Sequence, residues 1–278
     1  MRPWLVAFSL ASLVGVATSA HERAVTVEQG GLARWTGLAA KECGFRGKRY
    51  PAVDAACYYP VDVRALPGNH AAVLYDQDGK AHEATVAVTK RECPEVPLRI
   101  ENEALVKLSP ADEKRHAAER EKTLEALAPA PRAPGFSLPL AEPAVGLAGA
   151  GEGFCEIRIL NEERRTRHTG RDYRVARGTT VRAPADAVVA LVGDHLLAGN
   201  AVLLDHGDGL VTMFFHLDDV AVKAGSTVKR GDAIGKVGDT GRTTGPHLHW
   251  GARWANARID PQGLIGEPAK LPDLGRTD

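Results

Sequence analysis

From about residue 151 onward the chain is a succession of short apolar runs cut by glycine every few residues, and that cadence is the strongest constraint on its fold. Val181, Ala183, Val188, Val189, Leu191 and Val192 fall in strand-like runs broken by Pro184 and Gly193. Two further runs, 201–205 and 210–216, flank His206-Gly207-Asp208-Gly209, a hairpin signal. Val220, Val222, Gly225, Val228, Gly231, Ile234 and Val237 continue the pattern. Such runs predict a compact, mainly antiparallel β domain.

The upstream half reads differently. Residues 21 to about 106 hold alternating runs at 71–75 and 85–88, separated by Asp78-Gly79, which predicts a hairpin, with another short strand over 60–63. A small sandwich-like β domain is expected there, with His70 and His82 as surface residues near turns. Ser109 is a good N-cap, Pro110 suits the first helical position, and Asp112 completes a capping-box-like start. The helix that follows carries one narrow apolar stripe, Ala117, Leu124 and Leu127. Residues 129–150 are rich in Pro, Ala and Gly (Pro129, Pro131, Pro134, Pro139, Pro143, Gly146, Gly149) and read as a linker or an extended wrapping segment. The fold class expected is mainly β: an N-terminal β domain over 21–108, a helix and linker over 109–150, a second β domain over 151–270, and a tail over 271–278.

Met1-Arg2-Pro3, the apolar stretch from Trp4 to Val16 and the small residues Thr18-Ser19-Ala20 together read as a secretory signal peptide over 1–20. No membrane span is expected after its removal, because no long apolar run follows. Export makes Cys43, Cys57, Cys93 and Cys155 disulfide candidates. Three pairings are open; Cys43–Cys57, closing a short loop, with Cys93–Cys155 tying the two halves is the preferred one. No C-x2-C pair supports a zinc ribbon. Basic and acidic residues balance at 35 each, so charge gives no argument for nucleic acid.

The chemistry concentrates late in the chain. In Gly245-Pro246-His247-Leu248-His249-Trp250 the two histidines stand two apart in a strand-like run, so their imidazoles share a face. That suits a metal ion or an acid/base pair. Upstream, His168 and Asp172 are four apart around Gly170, and both are zinc-ligand types. Catalytic zinc takes three protein ligands and leaves a position for water. One late histidine can therefore be a ligand and the other a base. His216, placed at the end of the strand-like run 212–215, suits a site rim. No H-E-x-x-H is present, so a helical metalloprotease site with Glu as base is excluded.

These segments resemble a known family. His168-x3-Asp172, Gly178-x2-Val181-x-Ala183-Pro184, Asp205-His206-Gly207-x-Gly209 and Phe215-His216-Leu217 appear in the order of the lysostaphin/LytM-type zinc endopeptidases. So do Gly225-x2-Val228-x2-Gly231-x2-Ile234-Gly235 and Thr240-Gly241-x2-Thr244-Gly245-Pro246-His247-Leu248-His249, with Phe154-x3-Arg158-x2-Asn161 ahead of them. The resemblance runs from about 154 to 262 and implies an enzyme that cuts peptide stems or cross-links of peptidoglycan. It implies that His168, Asp172 and His249 bind one zinc ion, that His247 and His216 are catalytic, and that His206 is structural. Zinc on such a ligand set lowers the pKa of water toward about 7, and His247 or His216 would deprotonate that water. Tyr173, Arg242, Thr243 and Thr244 are candidates for the edge of the substrate groove. Where many members carry Phe-Glu after the second histidine, this chain has Trp250-Gly251, a change expected beneath the site.

An inactive wall-binding module or hydrolase activator is the alternative; the complete ligand set and both catalytic histidines favour the enzyme. A lipoyl-like reading of 222–237 lacks a lysine displayed at a hairpin tip and ignores the histidines. The N-terminal region is left with three roles: intramolecular regulation by covering the groove, binding the envelope, or bracing the second domain. The implied location is the periplasm or the extracellular cell envelope.

Overall fold

The computed structural model describes residues 23–128, 131–147 and 151–276. The expected signal peptide lies outside these, as do Pro129 and Gly149 of the expected linker and the last two residues of the tail. Among the described residues no helix is long and apolar enough to cross a membrane.

The N-terminal half contains β1 (Ala24–Glu28), β2 (Leu32–Trp35), β3 (Ala40–Phe45), β4 (Lys48–Pro51), β5 (Cys57–Pro60), β6 (Gly68–Asp76), β7 (Ala81–Thr89) and β8 (Glu95–Leu98). A five-stranded sheet, ordered β1-β7-β6-β3-β4, faces the two-stranded β2–β5 ribbon. Strict alternation along β6 and β7 turns Ala72, Leu74, Ala84, Val86 and Val88 inward. They meet Trp35, Cys57 and Tyr59 of the ribbon in one core, which is the expected sandwich-like packing. The Asp78-Gly79 turn joins β6 to β7 as a hairpin. The strand expected over 60–63 instead ends at Pro60. There Asp62 bends the chain, accepting from the Arg64 and Arg258 backbone amides at 2.7 and 2.8 Å.

Helix α1 (Pro110–Ala126) begins as expected, with the Ser109 hydroxyl accepting from the Asp112 amide at 3.2 Å. Its apolar stripe does not form: Ala117 is exposed and Leu124 is 43% exposed. Polar contacts dock the helix instead. Glu119 accepts from the Leu196 amide at 2.9 Å, and Arg115 donates to the Asp194 carbonyl at 3.1 Å. Leu127, just past the helix, is the one member of the stripe in a core, with Leu191, Leu203, Val211 and Met213. The helix is too polar to bury a face, so hydrogen bonds replace packing.

The second half contains β9 (Ile157–Leu160), β10 (Arg164–Arg167), β11 (Gly170–Tyr173), β12 (Thr180–Arg182), β13 (Ala187–His195), β14 (Gly199–Asp205), β15 (Leu210–Val220), β16 (Thr227–Val228), β17 (Ala233–Val237), β18 (Leu248–Trp254), β19 (Ala257–Ile259) and the short helix α2 (Gln262–Ile265). Its nine-stranded sheet runs β11-β18-β15-β14-β13-β16, with β12 on β17, β17 also on β15, and β19 on β18. Every pairing within it is antiparallel. The fold is mainly β, as the sequence predicts.

The halves are tied together. Strand β8, from the N-terminal half, pairs in parallel with β9. Both expected disulfides form: Cys43–Cys57 within the N-terminal sandwich, and Cys93–Cys155 across 62 residues of sequence. Residues 131–147 wrap the second half, burying Phe136, Leu140, Ala144 and Leu147. Trp254, at the end of β18, packs against Tyr58 of β5 and Phe136 of this strap, with ring centres 5.5 and 5.4 Å apart.

His206 is fully buried in the hairpin between β14 and β15. Its Nδ1 donates to the Asp186 carbonyl at 3.0 Å, and its Nε2 accepts from the Thr212 hydroxyl at 2.8 Å. Burial pushes its pKa down to about 4. As pH falls from about 6.5 toward 4 the unfolded chain takes up this proton before the folded one, so stability drops across that window. The contribution of His206 is at most about 1.4 kcal/mol per pH unit. Thermal melts between pH 7 and 4.5 should show a steeper fall for the wild type than for His206→Gln; parallel slopes would contradict it.

Candidate metal centre and groove

The antiparallel pairing of β11 with β18 sets Asp172 directly opposite His249, and Tyr173 opposite Leu248. Alternation divides the two strands by face. Leu248, Trp250 and Tyr173 have no exposed surface and fill the core beneath, while Asp172, His247 and His249 face the other way. Tyr173 therefore does not reach the groove, contrary to expectation. Its hydroxyl donates to Gln262 at 3.3 Å inside the protein.

His168 arrives from the turn before β11. Its Nδ1 donates to the Gly153 carbonyl at 2.7 Å, which leaves the Nε2 lone pair directed at the other two side chains. His168 Nε2 lies 2.9 Å from His249 Nδ1 and 3.1 Å from Asp172 Oδ1, and His249 Nδ1 lies 2.9 Å from the same oxygen. Three zinc-type donor atoms thus form a nearly equilateral triangle. A tetrahedron with bonds of about 2.0–2.1 Å has edges of about 3.3 Å, so the donor set fits zinc with little movement. Gly170 makes room for it: a β-carbon there would come within 2.6 Å of His249 Nε2 and 2.7 Å of the Trp250 carbonyl. Phe215 stacks flat on His249, with centres 5.0 Å apart and planes within 6°.

His216 is not at a strand end, because β15 continues to Val220. It sits in a bulge. Asn200 pairs with Leu217 and Val202 with Phe214, so Phe215 and His216 together stand opposite Ala201 alone. His216 adopts a left-handed φ of 62°, which a residue with a β-carbon rarely does. The extra residue breaks the in–out alternation, so Phe214 stays in the core while both Phe215 and His216 line the groove. The His216 Nδ1 donates to the Thr240 carbonyl at 2.8 Å, and the His247 Nδ1 to the Gly245 carbonyl at 2.8 Å. Each histidine therefore offers its Nε2, and the two rings are 4.8 Å apart.

The electrostatics follow from burial and from one carboxylate among imidazoles. Burial pushes the Asp172 carboxyl up, but the imidazoles of His168, His247 and His249 packed around it override this and hold it far below the usual carboxylate range. Burial lowers His249 to about 4 against the pull of Asp172. Burial, helped by His247 and His249, lowers His216 to about 3. Burial also lowers His247, yet its hydrogen bond to Asp172 reverses the balance and raises it. Neutral imidazoles and an ionised carboxylate are the protonation states a metal requires.

Residues 166–261 match the model of peptidase family M23. The chain carries an M23 peptidase domain. Over 111 residues it is 40% identical to the DD-carboxypeptidase/endopeptidase Mpg of Neisseria meningitidis, covering 40% of this chain and 25% of that protein. Over 83 residues it is 45% identical to the peptidoglycan DD-endopeptidase ShyA of Vibrio cholerae, covering 30% of this chain and 19% of that one. The chain thus spans a quarter or less of the length of these relatives. A crystal structure of a Pseudomonas aeruginosa protein assigned to peptidase M23 superposes with a TM-score of 0.65 at 29% identity, covering 86% of this chain and 94% of that one.

Around the donor triangle runs a groove of about 700 Å³. Arg242, Thr243 and Thr244 line it. So do Leu98 and His116, which bring the N-terminal half into its wall. At the change to Trp250-Gly251, Trp250 packs in the core and the Met213 methyl occupies the space beside Gly251, 2.9 Å from where a β-carbon would stand.

One functional side chain escaped the sequence reading. Arg158 on β9 donates to Asp172 Oδ2 at 2.6 Å and is also bonded to Glu156 at 3.3 Å. It holds one carboxylate oxygen and leaves Oδ1 for the triangle. Its only signal was its place in Phe154-x3-Arg158. Outer partners of this kind are worth about 10–100-fold in metal affinity. Arg158→Gln should therefore weaken zinc binding by about that factor in a chelator competition, with the melting temperature of the metal-free protein little changed. Unaltered zinc affinity would contradict the positioning role.

Proposed function

We propose that this protein is an exported zinc metalloendopeptidase that hydrolyses amide bonds in the peptide stems or cross-links of peptidoglycan. The observation that carries the reading is the His168–Asp172–His249 triangle with two further histidines presenting Nε2 beside it. The printed names of the Neisseria and Vibrio relatives supply the substrate class. Two disulfides support export, since such bonds persist in oxidising compartments such as the periplasm or the cell surface.

His168 Nε2, His249 Nδ1 and Asp172 Oδ1 would hold the ion. Bound zinc supplies Lewis acidity, acidifying a water and polarising the substrate carbonyl. His216 and His247 move the protons. Each is fixed by a backbone carbonyl at Nδ1, so each Nε2 is aimed rather than free to rotate. One takes the proton of the attacking water and the other gives a proton to the leaving amine. The buried, neutral His216 is suited to accept, and His247, raised by Asp172, to donate and to stabilise negative charge developing on the carbonyl oxygen. Arg242, Thr243 and Thr244 would edge the bound peptide. The wall supplied by β8 and His116 favours bracing and groove-shaping as the role of the N-terminal half.

Digestion of defined cross-linked muropeptides, read by mass spectrometry, tests the reading. The wild type should release one set of fragments, and His247→Ala should slow release by about 10²–10⁴-fold. Equal cleavage by the variant, or none by the zinc-loaded wild type, would overturn it.

A further inference from the structure

The groove holds more positive charge than its own carboxylates use. Glu152 pairs with Arg174, while Glu156 and Asp172 both pair with Arg158. Three lining arginines, Arg164, Arg167 and Arg242, are then left without a carboxylate among the described residues; Arg167 donates to the Cys155 carbonyl at 3.3 Å, at the other end of β10 from Arg164. Arg164, on β10, donates only to the Val106 carbonyl, at 3.4 Å. Arg242, in the loop before β18, donates from its side chain only to the Leu105 carbonyl, at 3.3 Å. A guanidinium has five N–H donors in a fixed fork, so most of these donors point to no protein acceptor.

The guanidinium groups of Arg164 and Arg242 bond to the carbonyls of successive residues, Val106 and Leu105, and both arginines are half-buried. Burial pushes Arg242 down to about 10, with Arg164 and Arg158 adding to the shift by repulsion. His116 of α1 lines the same groove and is lowered by burial, with Arg164 and Arg242 adding to it. Two like charges brought together without a counter-ion cost energy that an arriving anion would offset. The neighbouring wall is apolar, formed by Leu98, Ile100 and Leu160. On β10 the adjacent Arg165 points away and is paired with Glu95. The groove-lining Arg164 and Arg167 of the same strand have only backbone carbonyls as partners among the described residues.

We propose that Arg164 and Arg242 form a carboxylate-binding subsite, which selects peptides carrying a free carboxylate near the amide to be cut. The subsite rests on the endopeptidase reading, because it places the anion in the groove that contains the donor triangle. Paired arginines match carboxylates through short, charge-assisted bonds, whereas a carboxamide offers only one acceptor and no charge.

The test uses the zinc-loaded full chain and two matched stem peptides in which the scissile amide is replaced by an uncleavable isostere. One carries free carboxylates; in the other they are amidated. Calorimetry should show the carboxylate form binding at least about tenfold tighter. The preference should shrink in added salt and fall toward one in the double variant Arg164→Gln/Arg242→Gln. Arg165→Gln should keep it. Equal affinities for the two peptides in the wild type, or an undiminished preference in the double variant, would overturn the subsite. Cleavable versions of the same pair separate the two claims. A binding preference with no cleavage of either peptide defeats the endopeptidase reading alone. Cleavage of both with equal kcat/KM and equal binding defeats the subsite alone.

Discussion

The register of β11 against β18 is the constraint on which the site depends, because it fixes Asp172 opposite His249 within 2.9 Å. Side chains alternate along a strand, so a slip of one residue would turn both groups into the core and bring Tyr173 and Trp250 out. The register is held from both faces. Below, Tyr173, Leu248 and Trp250 are buried without exposed surface. At the far end of β18, Trp254 is locked between Tyr58 and Phe136 and donates to Asp208 at 3.2 Å. Beside Asp172, Arg171 forms a two-pronged pair with Asp260 at 2.6 and 2.7 Å. Strand β18 therefore carries one donor, His249, near one end and the anchor between the halves, Trp254, at the other.

Around that frame the protein brings in groups that regular strands could not supply. His168 is set by backbone bonds to Glu156 and Cys155, in a loop tied to the N-terminal half by the Cys93–Cys155 bridge. His216 reaches the groove through a bulge and a left-handed backbone, a conformation that costs free energy and that the flanking pairs on both sides of β15 sustain. The same few carbonyls, of Gly153, Thr240 and Gly245, fix three imidazole orientations. Imidazoles oriented by backbone carbonyls in this way limit the reorganisation needed during reaction.

Much of this was legible in the residues. The i, i+2 spacing of His247 and His249 in a strand-like run placed both on one face, and glycine-cut runs announced an antiparallel sheet. Ser109 and Pro110 marked the start of α1 correctly. What failed were inferences that needed long-range partners. Tyr173 looked available for the groove because its neighbour Asp172 is in the site, yet alternation sends it inward. Leu124 looked like a packing residue, but α1 docks through Arg115 and Glu119 to chain 77 to 79 residues away. Arg158 carried no local pattern that announced a bond to a carboxylate 14 residues on. The bulge at His216 depends on pairings to two strands at once, which no single stretch encodes.

The identity of the donor atoms is the central claim, and X-ray absorption at the zinc edge of the purified full chain tests it most directly. The triangle predicts one zinc per chain in a shell of two imidazole nitrogens and light oxygen donors at about 2.0–2.2 Å, with no sulfur near 2.3 Å. The imidazole signal should fall from two rings to one, or zinc should be lost, when His249 is replaced by alanine. A sulfur-containing shell, or an unchanged two-imidazole signal at full zinc occupancy in that variant, would contradict the assignment.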